Sequence, residues 1–302
     1  MYAHRKSKLS GLARKEAIAG YLFILPWILG FLMFTSIPLI SSFVLSFTNY
    51  SVINPPKFAG LENYRTMFTS DRLFYKSLGN TLYIVVIGVP LNIVVGLSIA
   101  LLLNTKVRGM QYYRTIFYLP SIVPIVASSI LWLWILHPSV GLLNSALRLF
   151  GINGPQWLAS PIWSKPALIL MGLWSAGSSM IIYLAGLQGI PEQLYEAAEI
   201  DGATWWTKFF KVTLPLLSPT IFFNLVMGII GAMQIFTQAY VMTQGGPLDS
   251  TLVYVYYLFN NAFSYFKMGY ACSLAWILFL IILVLTLIQL RLARHWVYYE
   301  VL

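Results

Sequence analysis

Charge is the scarcest commodity in this chain. Only 9% of its 302 residues are Asp, Glu, Lys or Arg, 59% are hydrophobic, and the mean hydropathy is +0.75. An ordinary globular domain carries about 25% charged and about 45–50% apolar residues. So little charge cannot cover the surface of a soluble enzyme, solvate a disordered chain or read nucleic acid. It suits a polytopic helical membrane protein, because hydrocarbon accepts apolar side chains on every face of a helix. Cysteine is also nearly missing: Cys272 stands alone, so no intrachain disulfide is possible. The three histidines, His4, His137 and His295, are too widely separated to suggest a metal cluster. There is no internal repeat, and no GxxxxGK[ST] sequence of the kind that cradles nucleotide phosphates. The reading therefore assigns this chain no catalytic residue, no metal and no bound cofactor.

What charge remains outlines the topology. A charge at mid-bilayer costs about 2.5–3.5 kcal/mol on the insertion scale, so charged side chains mark loops. Charge-free runs cover residues 17–56, 77–105, 115–147, 166–191, 212–248, 250–266 and 268–290. These predict an all-α membrane protein with six transmembrane helices near 17–47, 78–104, 115–137, 166–187, 218–243 and 269–290. Pro26 and Pro38 are expected to kink the first. The run 250–266 is interrupted by Asn260, Asn261 and Ser264 and crowded with tyrosine and phenylalanine. It is expected on the outer surface, as an interfacial helix or a partly inserted hairpin.

The formal charge of +10 comes from 19 Lys and Arg against 9 Asp and Glu. Arg5, Lys6, Lys8, Arg14 and Lys15 precede the first span, and Arg291 and Arg294 follow the last, so both termini are expected in the cytoplasm. Inner segments then hold 12 of the 19 basic residues, in line with the positive-inside rule. The domain plan is a basic cytoplasmic arm over 1–16, a six-helix transmembrane domain over 17–290 and a cytoplasmic tail over 291–302. Tyr112, Tyr113 and Arg114 read as an inner-interface anchor.

One cytoplasmic connection, residues 188–217, has the wrong charge. Glu192, Glu196, Glu199 and Asp201 are four of the nine acids in the chain. Pro191 suits a helix start, Glu192 its positive end, and Gly202 a C-terminal stop. Thr204 can then cap a second short helix in which Trp205 and Phe209, and Trp206 and Phe210, pair at i,i+4. This helix-turn-helix can be a solvated loop with its aromatics on lipid headgroups, or a knob for a basic pocket on a partner.

The stretch from Glu192 to Ala203, followed by Phe209-Phe210, Leu214-Pro215 and Pro219, resembles the EAA loop of permease subunits of binding-protein-dependent ABC importers. Pro26-Trp27, Ser46-Phe47-Thr48, Gly60-Leu61-Glu62-Asn63-Tyr64 and Thr243-Gln244-Gly245-Gly246-Pro247 resemble its carbohydrate branch, and within it the maltose-transporter-like first permease. The likeness covers nearly the whole chain. It departs from larger members in lacking extra N-terminal helices and a large inserted outer domain, so contacts made by those insertions do not carry over.

The resemblance implies that Glu196, Ala197, Ala198, Asp201, Gly202 and Ala203, with Leu214 and Pro215 behind them, couple the chain to a cytoplasmic ATPase. It further implies a second homologous permease, two ATPase subunits holding ATP and magnesium, an external solute-binding protein, and a place in a bacterial cytoplasmic membrane. Every acid lies in a loop, which argues against an ion-coupled carrier, and Ser178-Ser179 lacks the basic partner a hydrolase needs. His137 reads as an interfacial side chain. An uncharged pathway suits a sugar or oligosaccharide, with Trp174, Ser175 and Ser178 on the fourth helix and Asn224, Gln234, Thr237 and Gln238 on the fifth as candidate contacts. Gln234 and Gln238 are expected to share a helical face. Polar residues in spans also serve simply to glue helices together. A permease for a polyol or a glycerol phosphodiester is the alternative, although a phosphate would favour basic residues along the path. Gly245-Gly246-Pro247 reads as an outer turn that meets the binding protein.

Overall fold

A computed structural model describes residues 11–105 and 107–298. The sequence-predicted N-terminal arm lies outside the described residues as far as residue 10, as do the last four residues of the tail.

Four helices are each long and apolar enough to cross a bilayer: Arg14–Ser46, Arg72–Leu103, Trp205–Met233 and Met268–Ala293. Two bent pairs complete the count of six, Met110–Ile122 with Ile125–Ile135 and Ser164–Trp174 with Gly177–Gln188. In chain order these are the first to sixth spans. The second is the hub: both halves of the fourth, the fifth, and a short helix Tyr254–Phe259 pack on it. The sixth packs along the C-terminal end of the first, Ile37–Ser46.

The loop after the first span is pinned by its own motif. Asn63 Nδ2 donates to the Ser46 and Thr48 carbonyls, both at 2.9 Å, and the Tyr64 hydroxyl donates to Ser46 Oγ at 2.7 Å. These bonds close the end of the span over a two-stranded hairpin, Thr48–Asn49 with Lys57–Phe58. Gly269 on the sixth span touches that hairpin so closely that a Cβ would sit 2.1 Å from the Thr48 carbonyl oxygen.

Prolines shape the spans, and not only where expected. In the first span a π turn, Leu32–Ser36, ends two residues before Pro38. In the fifth another, Phe209–Thr213, ends two residues before Pro215. Widening the turn relieves the clash between a proline ring and the preceding turn and lets the helix run on. The segment Trp205–Lys208 is therefore not a separate helix, as expected from sequence, but the start of the fifth span.

The third span is not one helix over 115–137: its halves meet at 97°. Pro124 forces Val123 out of the helical region to φ −66°, ψ 129°. The fourth bends by 48° at Ser175-Ala176, where Gly177 passes the third span. A Cβ on Gly177 would sit 2.4 Å from the Phe117 carbonyl oxygen. The predicted fifth helix over 218–243 is broken too: it stops at Met233, and a short helix, Thr237–Met242, follows and packs on Ile125–Ile135.

Within the aromatic run 250–266, expected as an interfacial helix or a partly inserted hairpin, Tyr254, Tyr256 and Tyr257 are buried against the second span. The Tyr254 hydroxyl reaches the Leu274 carbonyl at 2.8 Å. With the second and sixth spans on hand to cover them, these rings join the core.

Candidate functional site

A cavity of about 410 Å³ lies where the second span, the first half of the fourth and the end of the fifth converge. Ile84, Gly88 and Asn92 line it from the second span, with Asn92 one turn beyond Gly88. Leu168, Ile169 and Gly172 come from the fourth; Asn224, Gly228 and Gly231 from the fifth. The break after Met233 adds Gln234, Phe236, Thr237 and Gln238.

Glycine makes the room. At Gly172 and Gly231 a Cβ would meet nothing within 4 Å, whereas at Gly228 it would come 3.0 Å from Val89 Cγ1. The first two leave open volume and the third lets two helices approach.

The polar groups are amides and hydroxyls, and no charged residue is among the lining. Asn224 Nδ2 donates to the Thr220 carbonyl at 2.9 Å, which leaves its carbonyl oxygen able to accept from a solute. Asn92 Oδ1 accepts from Ser179 Oγ at 3.0 Å, which leaves its NH₂ able to donate. Gln234 and Gln238 both line the cavity, but not by sharing a helical face as expected. The chain turns between them at Phe236, at φ −141° and ψ −62°, whose ring stacks on Tyr240 with centroids 5.4 Å apart and leans on Tyr256 and Phe259.

Of the candidate contacts read from sequence, Asn224, Gln234, Thr237 and Gln238 come together here. Trp174, Ser175 and Ser178 do not line the cavity. Trp174 meets Trp132 edge-on at 6.1 Å, Ser175 lies at the bend of the fourth span, and Ser178 is exposed. Asn92 was missed. The available signal was its position as the one amide between Asn80 and Asn104 in a charge-free run.

The second span also holds the loop between the fifth and sixth spans. Asn80 Nδ2 donates to the Asp249 and Leu252 carbonyls at 2.7 and 3.0 Å, and the Tyr254 amide donates to Thr81 Oγ1 at 2.9 Å. Ser164 and Ser250 share a 2.8 Å hydrogen bond. The turn after Thr243 has left-handed backbone at Gln244, Gly245, Leu248 and Asp249, a conformation rare for leucine. Thr251 Oγ1 donates to the Gly246 carbonyl at 2.8 Å and closes it, leaving Gln244, Leu248 and Asp249 exposed at its tip.

At the N-terminal end of the second span Asp71 gathers three donors. One oxygen caps the helix through the Phe74 amide at 3.0 Å; the other accepts the Tyr257 and Tyr270 hydroxyls. Burial, and then the bond to Asp71, push the Tyr257 hydroxyl well above the ordinary tyrosine range, so it remains a donor.

At the opposite end stands the acidic helix, Glu192–Ile200. Its close is a Schellman turn: the Ala203 amide donates to the Ala198 carbonyl at 2.9 Å and the Gly202 amide to the Glu199 carbonyl at 3.0 Å. Gly202 takes φ +76°, which its missing Cβ permits. Glu196, Ala197, Asp201 and Gly202 are exposed, Ala198 and Ala203 half-buried. Ile200 is 88% exposed at the tip, an apolar side chain that sequence reasoning passed over. Leu214 and Pro215 are half-buried at the root of the loop.

The acidic helix is braced to the fifth span by Tyr195 and Thr213, hydroxyl to hydroxyl at 3.0 Å, and by the Lys208–Glu199 ion pair at 2.6 Å. Trp205 stacks on Phe209 and Trp206 on Phe210, as their spacing predicts. Arg114 of the expected interface anchor donates to the Leu103 carbonyl at 3.1 Å, at the end of the second span.

Residues 92–297 match the family described as binding-protein-dependent transport system inner membrane component. The chain belongs to this family. As a member of it, the chain is an inner-membrane permease component, and relatives agree along its length. It is 47% identical over 97% of its length to the probable ABC transporter permease protein YesP of Bacillus subtilis, covering 96% of that protein. It is 35% identical to the lactose transport system permease protein LacF of Rhizobium radiobacter, over 95% of this chain and 97% of that one. Among solved structures, a bacterial ABC transporter for import of the acidic polysaccharide alginate has a chain with TM-score 0.81 at 26% identity, covering 93% of this chain and 96% of that one. That transporter is also known in complex with an alginate pentasaccharide-bound periplasmic protein.

Proposed function

We propose that this permease translocates a sugar or oligosaccharide through the cavity between its second, fourth and fifth spans, driven by ATP hydrolysed in separate subunits. The carrying observation is the lining: Asn92, Asn224, Gln234 and Gln238 with Thr237, an array of neutral donors and acceptors around open space. Such groups suit hydroxyl-rich solutes, and Phe236 offers an apolar face for a ring. A glycerol phosphodiester would call for a basic group, and the lining contains none. The lactose and alginate relatives support carbohydrate as the substrate class.

Residues 192–203 form the coupling element. Glu196 and Asp201 offer charge to a cytoplasmic ATPase, Ala197 and Ala198 allow close approach, and Gly202 sets the turn. Leu214 and Pro215 carry motion into the fifth span. The full machine has a second permease, two ATPase subunits with ATP and magnesium, and an external binding protein received in part by the loop tip Gln244, Leu248 and Asp249. Both termini face the cytoplasm, and ATP-driven closure of the ATPase pair biases a two-state rocking of the spans. Trp174, Ser175 and Ser178 complete the proposed pathway in another state of the cycle.

The test is to co-purify the complex with its binding protein and measure which sugars raise ATP hydrolysis. Stimulation by at least one sugar is expected. A complex that responds to no sugar but to a phosphodiester would refute the substrate class.

A further inference from the structure

Just past the sixth span the chain turns back on itself. The amides of His295, Trp296 and Val297 bond to the Leu292 and Ala293 carbonyls, and the next residues run to the base of the fifth span. There the Tyr298 amide donates to Ser218 Oγ at 2.8 Å, and the Trp296 ring meets Phe222 edge-on at 6.0 Å.

Ser218 has two duties. Pro219 carries no amide hydrogen, so the Pro215 carbonyl lacks its helical donor. Ser218 Oγ supplies one at 2.6 Å and, with its remaining lone pairs, accepts from Tyr298. The serine is 3% exposed, so both bonds are shielded from water.

Tyr298 also lines a cleft of about 230 Å³ with Gly186, Gly189 and Pro191 on one side and Leu216 and Pro219 on the other. Pro191 is where the coupling helix begins, and Leu216 lies just inside the fifth span where the loop ends. Beside the cleft the two spans are already close: a Cβ on Gly186 would sit 2.7 Å from Leu217 Cδ1. One residue of the tail thus bonds to the fifth-span root of the loop and faces the fourth-span root across the cleft.

We propose that residues 296–298 are a latch that holds the two roots of the coupling loop together, so that a push on the loop moves the fourth and fifth spans as one body. Trp296 and Tyr298 are positioning residues; neither reaches the cavity or the exposed face of the coupling helix. The inference rests on the reading that residues 192–203 receive the ATPase.

The test uses the whole complex in proteoliposomes and reads ATP hydrolysed per sugar accumulated. Tyr298→Pro removes the donated hydrogen and touches nothing else in the fifth span; Tyr298→Ala keeps it. Trp296→Ala removes the ring on Phe222 while leaving every backbone group in place. Tyr298→Pro is expected to raise the ratio about 2- to 10-fold, the population shift that one net hydrogen bond commands. Trp296→Ala should move it the same way, and Tyr298→Ala less, with the ATPase co-purifying at the normal level throughout. A normal ratio in both Tyr298→Pro and Trp296→Ala would overturn the latch. So would loss of the ATPase in Tyr298→Pro, which would make the tail part of the docking surface. Failure of the docking reading has a separate signature: Glu196→Lys would retain both the ATPase and transport.

Discussion

Gly231→Leu offers a sharp test of the cavity as the solute's path. At this position a Cβ meets nothing within 4 Å, so the side chain starts into the open space of the cavity. Its four carbons occupy roughly 120 Å³, taking each at the ~30 Å³ that a water claims in the liquid. That is more than a quarter of the 410 Å³ present. Uptake of labelled mono-, di- and trisaccharides into proteoliposomes should fall more steeply with solute length than in the wild type, while the thermal midpoint in detergent stays unchanged. Gly228→Leu is the contrast. Its Cβ would already lie 3.0 Å from Val89 Cγ1, so it should destabilise the bundle by about 1–3 kcal/mol, as overpacking does. If Gly231→Leu carries every sugar at the normal rate, the solute does not pass through this cavity. If it unfolds as readily as Gly228→Leu, the assignment of open space is wrong.

Gly202→Pro cannot adopt φ +76° and should destroy the turn after the coupling helix; insertion measured by membrane fractionation should persist while uptake is lost. Asp71→Asn weakens the acceptor for two tyrosine hydroxyls and should cost about 1.5–3 kcal/mol, the range for hydrogen bonds to a charged group, read as a lowered thermal midpoint. Asn63→Ala deletes two bonds to the end of the first span, and protease cleavage within the hairpin should accelerate about 5- to 30-fold if the two bonds together contribute about 1–2 kcal/mol.

The solvent of each segment was legible in the sequence; its direction was not. Charge-free runs located all six spans because the penalty for charge in hydrocarbon is large and local. Gly202 announced the end of the coupling helix because a left-handed residue there is a local requirement. Hydropathy, however, does not report bends. The 97° turn at Pro124 leaves the run just as apolar as a straight helix would, and the break after Met233 contains no proline to mark it. It is held by Phe236 among Tyr240, Tyr256 and Phe259, rings that approach only once the chain has folded. The same blindness hid the burial of Tyr254 and Tyr257, since an aromatic run suits an interface and a core equally. Asn92 escaped notice because its meaning comes from Ser179 on another span and from the cavity they share. Trp174, Ser175 and Ser178 looked alike as polar marks on one helix, yet the bend at Ser175-Ala176 turns them away from the cavity wall that Ile169 and Gly172 form.

The central claim is that solute movement through this chain is driven by an ATPase seated on residues 192–203. The direct measurement is accumulation of labelled oligosaccharide in proteoliposomes containing the whole complex, with ATP on the ATPase side and loaded binding protein on the other, for the wild type and Glu196→Lys. The account predicts accumulation that requires both ATP and the binding protein, and its loss in Glu196→Lys although the chain still inserts. Accumulation without ATP, or normal accumulation in Glu196→Lys with the ATPase still bound, would contradict it.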